Sequence, residues 1–302
     1  MDRDRPPVAL DRRAFLAALP ATVGGCSRVF GRETEAVSVL AAGSLANALE
    51  HGLRPRADHL VRAETHGSAE VARLVVEGTK DPDVVALADT ALFESIIEAD
   101  WFVEFATNAL VLAYDSATDG GARLAAAGPD EWYRPLVEGA VRLGRTDPDL
   151  DPLGYRTLFA LELATDHYGT AVDLRARLPA REQVYPETQL VSQFETGNVD
   201  AAFTYRNMAE QRGYEYVSLP AAIDLSDPAF ADRYRRATYE LPDGTVVRGD
   251  VIRYGATLRT DAPAPAAVFE RLTAGQYLTD FGFEVPETYP RHRGDVPGRI
   301  RD

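Results

Sequence analysis

The chain carries one cysteine, Cys26, and one lysine, Lys80, in 302 residues. A single thiol excludes an intramolecular disulfide and any metal cluster built on cysteine. Five histidines, His51, His59, His66, His167 and His292, lie scattered without H-E-x-x-H spacing, so a zinc hydrolase finds no support. His66 beside Ser68 invites a Ser–His reading, but the sequence has no G-x-S-x-G elbow to carry it. There is no internal repeat, no low-complexity block and, after the first thirty residues, no apolar run long enough to span a bilayer. Positive charge is scarce as well: 47 acidic against 32 basic residues leave a net charge of −15. That balance argues against nucleic acid and against an anionic membrane surface as partners.

An acidic, lysine-poor surface suits a protein working in concentrated salt, where the Debye length falls to about 3 Å and self-repulsion is screened. A GC-rich genome that writes arginine for lysine gives the same composition. With 45% hydrophobic residues the chain can bury a sizeable core, as one large domain or as two lobes.

Residues 1–25 read as an address. Arg12-Arg13 is followed by an apolar run through Val23 that is too short to span a membrane, and small residues then lead to Cys26. The pattern resembles a twin-arginine lipoprotein signal, in which Cys26 is acylated after cleavage and anchors the mature chain to the outer face of the cell membrane. Residues 26–36 form a tether.

From Val37 the grammar is strand, Gly-Ser turn, helix, and it occurs twice, at Gly43-Ser44 and at Gly67-Ser68. Glycine allows close backbone approach, and serine can cap the helix or donate its hydroxyl. Asp83–Asp89 is a buried third strand with Asp89-Thr90 capping the next helix, and Phe105–Tyr114 is a long apolar strand that could cross between lobes. The segment from Asp115 to Gly128 is small and polar, and Trp132–Val137 reads as a helix. Asp151 caps a buried helix from Pro152 to about Tyr168, with proline at the first helical position. The amides of Leu153, Gly154 and Tyr155 would then point back into the loop, an end that attracts anions. An ionised Asp151 at such an end repels an anion unless it caps, points away or coordinates the ligand's central atom. Short strands follow at Val184-Tyr185, Val199–Tyr205 (a possible return crossing), Tyr214–Leu219 and Val251–Leu258, with a hairpin near Pro242-Asp243-Gly244. Helices close the fold at Pro263–Thr273 and Ala274–Phe281, and a surface tail starts at Pro286.

The order of Ala42-Gly43-Ser44-Leu45, Gly67-Ser68, Phe105–Tyr114, Asp147–Thr157 and Gly197–Arg206 resembles the molybdate/tungstate-binding solute-binding proteins of ABC importers, especially their archaeal branch. The resemblance implies an α/β, two-lobed, periplasmic-binding-protein-like fold. Each lobe is then a mixed, mainly parallel sheet flanked by helices, and two crossing strands join them. Lobe I would take 37–113 and 206–302, and lobe II 114–205. It further implies a monomer with no cofactor that is not an enzyme and that serves an ABC permease and ATPase. One tetrahedral molybdate or tungstate ion would sit in the cleft, held by Ser44 and Ser68, by the amides of Leu153 and Gly154, and by the Tyr205 phenol. Within that branch two carboxylates approach the metal of the oxyanion. Asp151 matches the first, whereas Thr204 stands where the second would be a glutamate. Asp147 and Asp149 are then solvated loop charges, and Arg156 and Arg206 pair with carboxylates near the hinge. Sulfate or another small tetrahedral anion, a surface lipoprotein without a small ligand and an exported Ser-dependent hydrolase are the competing readings.

If Asp151 touches the ligand, Asp151→Ala changes molybdate or tungstate affinity at least tenfold, or about 1.4 kcal/mol, by titration calorimetry. An unchanged affinity reduces Asp151 to a cap.

Overall fold

The computed structural model describes residues 36–178 and 184–301, so the expected export signal, Cys26 and all but the last residue of the expected tether lie outside the described residues. Val37–Ala42 (β1) runs into a tight 3₁₀ turn at Gly43–Leu45 and a wide helical stretch at Ala48–Leu53. Val61–His66 (β2) leads into Ser68–Val76 (α1), and Val84–Leu87 (β3) into Ala91–Ser95 (α2). β1 pairs in parallel with both β2 and β3, which brings the turns after all three strands to one edge. All four β3 residues are buried, as expected of a strand covered on both faces.

The expected single strand at Phe105–Tyr114 is two: Trp101–Thr107 (β4) and Leu110–Tyr114 (β5), which lie in different sheets. The break at Asn108-Ala109 is the first crossing, and the buried Asn108 carries it by hydrogen-bonding the Ala109 amide through its own side chain (2.9 Å). The small polar stretch after Tyr114 is helical over Asp119–Glu131 (α3), broken by a kink at Gly128 (φ 67°), and its glycines and Pro129 obscure it in the sequence. Thr118 caps it by accepting from the Gly121 amide (3.0 Å). Tyr133–Val137 (α4) and Leu143–Thr146 (β6) lead to Pro152–Tyr168 (α5), capped by Asp151 and ended by a left-handed Gly169. Leu174–Arg177 (α6), Val184–Tyr185 (β7), Glu187–Glu195 (α7), Ala201–Tyr205 (β8), Arg206–Arg212 (α8) and Glu215–Ser218 (β9) complete the second sheet, ordered β7-β6-β8-β5-β9.

Two expectations need correction here. Val199–Tyr205 does not cross back, because β8 pairs with β5 and β6 inside the five-stranded sheet. β9 also pairs with β5, so the chain after residue 205 stays with that sheet rather than rejoining the first. The return runs through a short helix, Ala231–Tyr234 (α9), and a hairpin of Thr238–Glu240 (β10) with Val246–Arg248 (β11). Only Arg253–Leu258 (β12) re-enters the first sheet, antiparallel between β3 and β4. Pro263–Thr273 (α10) packs on that sheet, and Arg291–Gly294 (β13) adds its edge, giving the order β13-β4-β12-β3-β1-β2. β13 hides in the sequence because all four of its residues are exposed, and it is held to β4 by main-chain bonds and by the Arg293–Glu104 ion pair (3.1 Å). Both sheets are mixed, with a larger antiparallel share than the mainly parallel arrangement expected. The parallel pairings are confined to the two triplets β2-β1-β3 and β7-β6-β8.

The loop Asp147–Asp151 folds tightly onto the start of α5. A Cβ on Gly154 would stand 2.5 Å from the Pro148 nitrogen and 2.6 Å from the Asp147 carbonyl carbon, both backbone atoms that cannot swing aside. Gly154→Ala should therefore lower the unfolding free energy by about 1–3 kcal/mol, as overpacking does. Urea denaturation measures this, and an unchanged midpoint would show that the loop yields freely.

Candidate functional site

The C-terminal edges of the two parallel triplets face one another, which is where open α/β sheets place ligands. They are in contact: the Glu70 amide in the first turn of α1 donates to the Leu150 carbonyl (3.1 Å), and Arg73 Nη1 donates to the Asp149 carbonyl (2.8 Å). Between them lies a cavity of 110 Å³ lined by Gly43, Thr65, His66, Gly67 and Glu70 from one side and Thr146, Asp147, Leu150, Asp151 and Pro186 from the other. Larger hollows exist, one of 420 Å³ beside Arg156, Arg235 and Arg248 and one of 330 Å³ beside Arg62 and Lys80. The smaller cavity is distinguished by its chemistry. Two buried polar atoms of its lining residues, Thr146 Oγ1 and Asp151 Oδ2, have no hydrogen bond of ordinary geometry among the described residues, although the Thr146 hydroxyl lies near enough to lower the pKa of the Asp151 carboxyl. Buried polar groups are rarely left so unless something else satisfies them.

Asp151 does cap α5, with Oδ1 accepting from the Leu153 amide (3.1 Å), while its carbonyl accepts from the Gly154 amide (3.0 Å). Both amides expected to hold ligand are thus engaged by Asp151 itself. Gly154 matters because only a residue without a side chain lets the loop lie on the helix. Burial pushes the Asp151 carboxyl up to about 6, and the Leu153 amide, the nearby Thr146 hydroxyl and the Arg156 charge only partly offset it.

Ser44 and Ser68 are both buried, at the ends of β1 and β2. Ser44 Oγ accepts from the Tyr254 hydroxyl (2.9 Å), and Ser68 Oγ accepts from the Ala88 amide (3.0 Å). Each hydroxyl therefore accepts from the protein and keeps its hydrogen for donation. The Ser44 carbonyl accepts from Asn207 Nδ2 (3.2 Å), whose Oδ1 accepts from Asn108 Nδ2 (2.7 Å), so both chain segments that leave β4 and β8 fix the position of Ser44.

Behind the cavity runs a buried polar chain. Tyr155 donates its hydroxyl to Asp89 Oδ2 (2.5 Å), Arg156 Nη2 stands 3.5 Å from the same oxygen, and Arg156 Nη1 donates to the Tyr205 hydroxyl (2.8 Å). The Tyr205 and Tyr254 rings meet edge to face at 6.3 Å, which closes the path from Ser68 through Asp89 and Arg156 to Ser44. Burial alone would push the Arg156 guanidinium down, but the phenol oxygen of Tyr205 and the Asp89 carboxylate outweigh it and hold its pKa above the ordinary value. Tyr205 is thus bonded to arginine, with burial raising its phenol well above its usual range.

Thr204 lies elsewhere. It alternates with Tyr205 along β8, and its hydroxyl meets Met208 Sδ (3.6 Å) in a small apolar pocket with Leu190 and Phe194. Asp149 is not a free loop charge: its Oδ1 accepts from the Tyr239 hydroxyl (2.6 Å). Asp147 lines the cavity, and its Oδ1 accepts from the Asp149 amide (3.0 Å). Arg206 pairs with Glu284. Sequence reading missed Thr146 and Arg145, whose buried Nε and Nη1 also lack partners and whose guanidinium burial pushes down in pKa. The signal was there: two polar residues ending a short buried strand directly before the Asp147–Asp151 loop. Asp89 was visible only as a cap, and Tyr254 lay within the expected strand Val251–Leu258 without being singled out.

The profile of a family described as bacterial extracellular solute-binding protein matches residues 37–275. A Haloferax volcanii protein, whose name proposes molybdenum binding for an ABC transporter, is 51% identical over 98% of this chain and 99% of its own length. The molybdate/tungstate-binding protein WtpA of Pyrococcus abyssi is 30% identical over 92% of each chain. Among solved structures, the periplasmic molybdate-binding protein of Azotobacter vinelandii superposes with a TM-score of 0.55 at 16% identity, over 83% of this chain and all of that one. The sulfate-binding protein SubI of Mycobacterium tuberculosis gives 0.54 at 13%, over 84% and 88%. These two likenesses establish the shared two-lobed fold.

A folded-state carboxyl near 6, above the ordinary 3.8, binds its proton more tightly than in the unfolded chain. Its stabilisation is therefore complete below about pH 4 and lost as pH rises through 6. Asp151→Asn keeps a capping oxygen but cannot ionise, so its stability relative to the parent should climb between pH 4 and 7 in ligand-free urea titrations. A pH-independent difference would mean that the carboxylate is compensated in the folded state.

Proposed function

We propose a transport role on one premise: the chain belongs to the family of bacterial extracellular solute-binding proteins. In this reading the cavity between the two lobes captures molybdate or tungstate outside the cytoplasm and delivers it to the permease and ATPase of an ABC importer, with Cys26 as lipid anchor. The names of the Haloferax and Pyrococcus relatives support the ligand class.

The observation that carries the reading is the buried carboxyl of Asp151, whose Oδ2 has no hydrogen bond of ordinary geometry, in a residue lining the cavity beside Thr65 and Thr146. A tetrahedral dianion offers only acceptors, so the Thr65 and Thr146 hydroxyls that line the cavity suit it, and Ser44 and Ser68, buried at the adjoining turns but not lining the cavity, would have to turn toward it on binding. A bare carboxylate beside it does not suit sulfate, whose sulfur takes no further oxygen ligand. It suits an oxyanion whose central metal accepts one, or a protonated Asp151 that donates to a ligand oxygen. Thr204 supplies no second carboxylate, so at most Asp151 of that expected pair reaches the metal. The buried Arg156, already paired with Asp89, balances charge behind the site and leaves direct contact to neutral donors. The chain then acts by binding and release, with no bond made or broken in an organic substrate.

A thermal-shift panel of molybdate, tungstate, sulfate and phosphate in molar salt tests this. A ligand at a hundred times its dissociation constant adds about 2.7 kcal/mol to the folded state. Molybdate and tungstate should raise the melting temperature, sulfate less, and Ser44→Ala or Ser68→Ala should each reduce the rise. Stabilisation by sulfate alone would establish the rival anion, and no shift with any of the four would overturn oxyanion capture.

A further inference from the structure

Gly67 sits between β2 and α1, next to Ser68, where a glycine invites the interpretation that ligand approaches its backbone. The structure gives it a different neighbour. A Cβ built on Gly67 would stand 2.3 Å from the Leu150 carbonyl oxygen, 2.9 Å from its carbon and 3.0 Å from Asp151 Cβ. All three atoms belong to the loop of the opposite lobe, which itself carries Asp151. The backbone of Gly67 is ordinary, with φ −59° and ψ 138°, so any residue could adopt it and the glycine is required by space alone. One turn further along α1, Glu70 donates its amide to Leu150 and Arg73 donates its guanidinium to the Asp149 carbonyl. From the return hairpin, Tyr239 holds the side chain of the same Asp149, while its ring stacks on Tyr155 at 6.5 Å.

We propose that Gly67 and Arg73 form a latch that sets how long the closed state, and hence the bound oxyanion, persists. Arg73 is a positioning residue: it bonds the loop that presents Asp151 and does not line the cavity. Gly67 provides the gap into which the Leu150 carbonyl fits, and the Glu70 amide is the donor that carbonyl reaches. The first turn of α1 thereby grips the opposing lobe instead of leaving every free amide to the anion. Because the latch forms only when the lobes meet, it lowers the escape rate of ligand without altering encounter, which fits the general rule that related binding sites differ mainly in dissociation. The inference about residence time rests on the oxyanion reading, whereas the contact itself does not.

Two variants attack the latch independently. Gly67→Ala inserts a wedge whose nearest neighbours all lie across the cleft, so lobe I folds unhindered. Arg73→Gln removes the guanidinium bond, and Arg73→Lys retains one donor on a long stem. Stopped-flow binding of molybdate and tungstate should show dissociation accelerated about tenfold or more in Gly67→Ala and about threefold in Arg73→Gln, with association within a factor of two of the parent. Arg73→Lys should return part of the loss. Small-angle scattering of the ligand-free protein should report a larger radius of gyration for Gly67→Ala, and amide exchange at Glu70 should quicken in both variants. Unchanged dissociation, or a loss confined to association, would overturn the latch in favour of a bystander or a steering charge. If the parent binds neither anion, the scattering and exchange still decide whether the latch exists, and their failure alone would refute it.

Discussion

A guanidinium removed from water between two lobes must find its partners there, and Arg156 finds one on each side of the cleft. Asp89 belongs to the six-stranded sheet's edge, and Tyr205 to the five-stranded sheet. Separating the lobes would leave a carboxylate, a phenol and a cation to be rehydrated together, so the pairing fixes how the two edges meet. The order of the rest follows from it. Tyr155 is held against Asp89, the start of α5 is held by Tyr155 and Arg156, and the Asp147–Asp151 loop is held by the start of α5.

The site that results is not the open helix end suggested by the loop sequence. Asp151 consumes the first free amides of α5 in capping it, and Leu150 takes one from α1. At the adjoining turns the Ser44 and Ser68 hydroxyls each accept a bond from the protein.

Helices and strands with one strong local cause were legible. Asp151 followed by Pro152 and a run of apolar residues located α5 almost to the residue, and alternation of strand with Gly-Ser turn located the first triplet. What could not be read was whatever depends on partners distant in sequence. β8 reads as a crossing because it is apolar throughout, yet its burial comes from two neighbouring strands in one sheet. β13 has no apolar residue to betray it. Thr204 and Tyr205 are adjacent and were both expected at the ligand, but strand alternation sends them to opposite faces. Asp149 looked like a solvated charge because its partner, Tyr239, lies 90 residues away. The two Gly-Ser turns were found by local grammar, whereas the fixing of Ser44 by Tyr254, Asn108 and Asn207 required the tertiary structure.

The position of β12 bears on how the molecule is made. It occupies the slot between β3 and β4, so the six-stranded sheet is two unjoined pieces until residue 258 has emerged, whereas every strand of the five-stranded sheet lies between residues 110 and 218. During synthesis the inserted lobe completes before its host, and the host's unpaired edges stay exposed meanwhile. The host sheet is therefore joined by a strand that arrives roughly 150 residues after the β4 it must lie beside, and its closure is a late event on the ribosome.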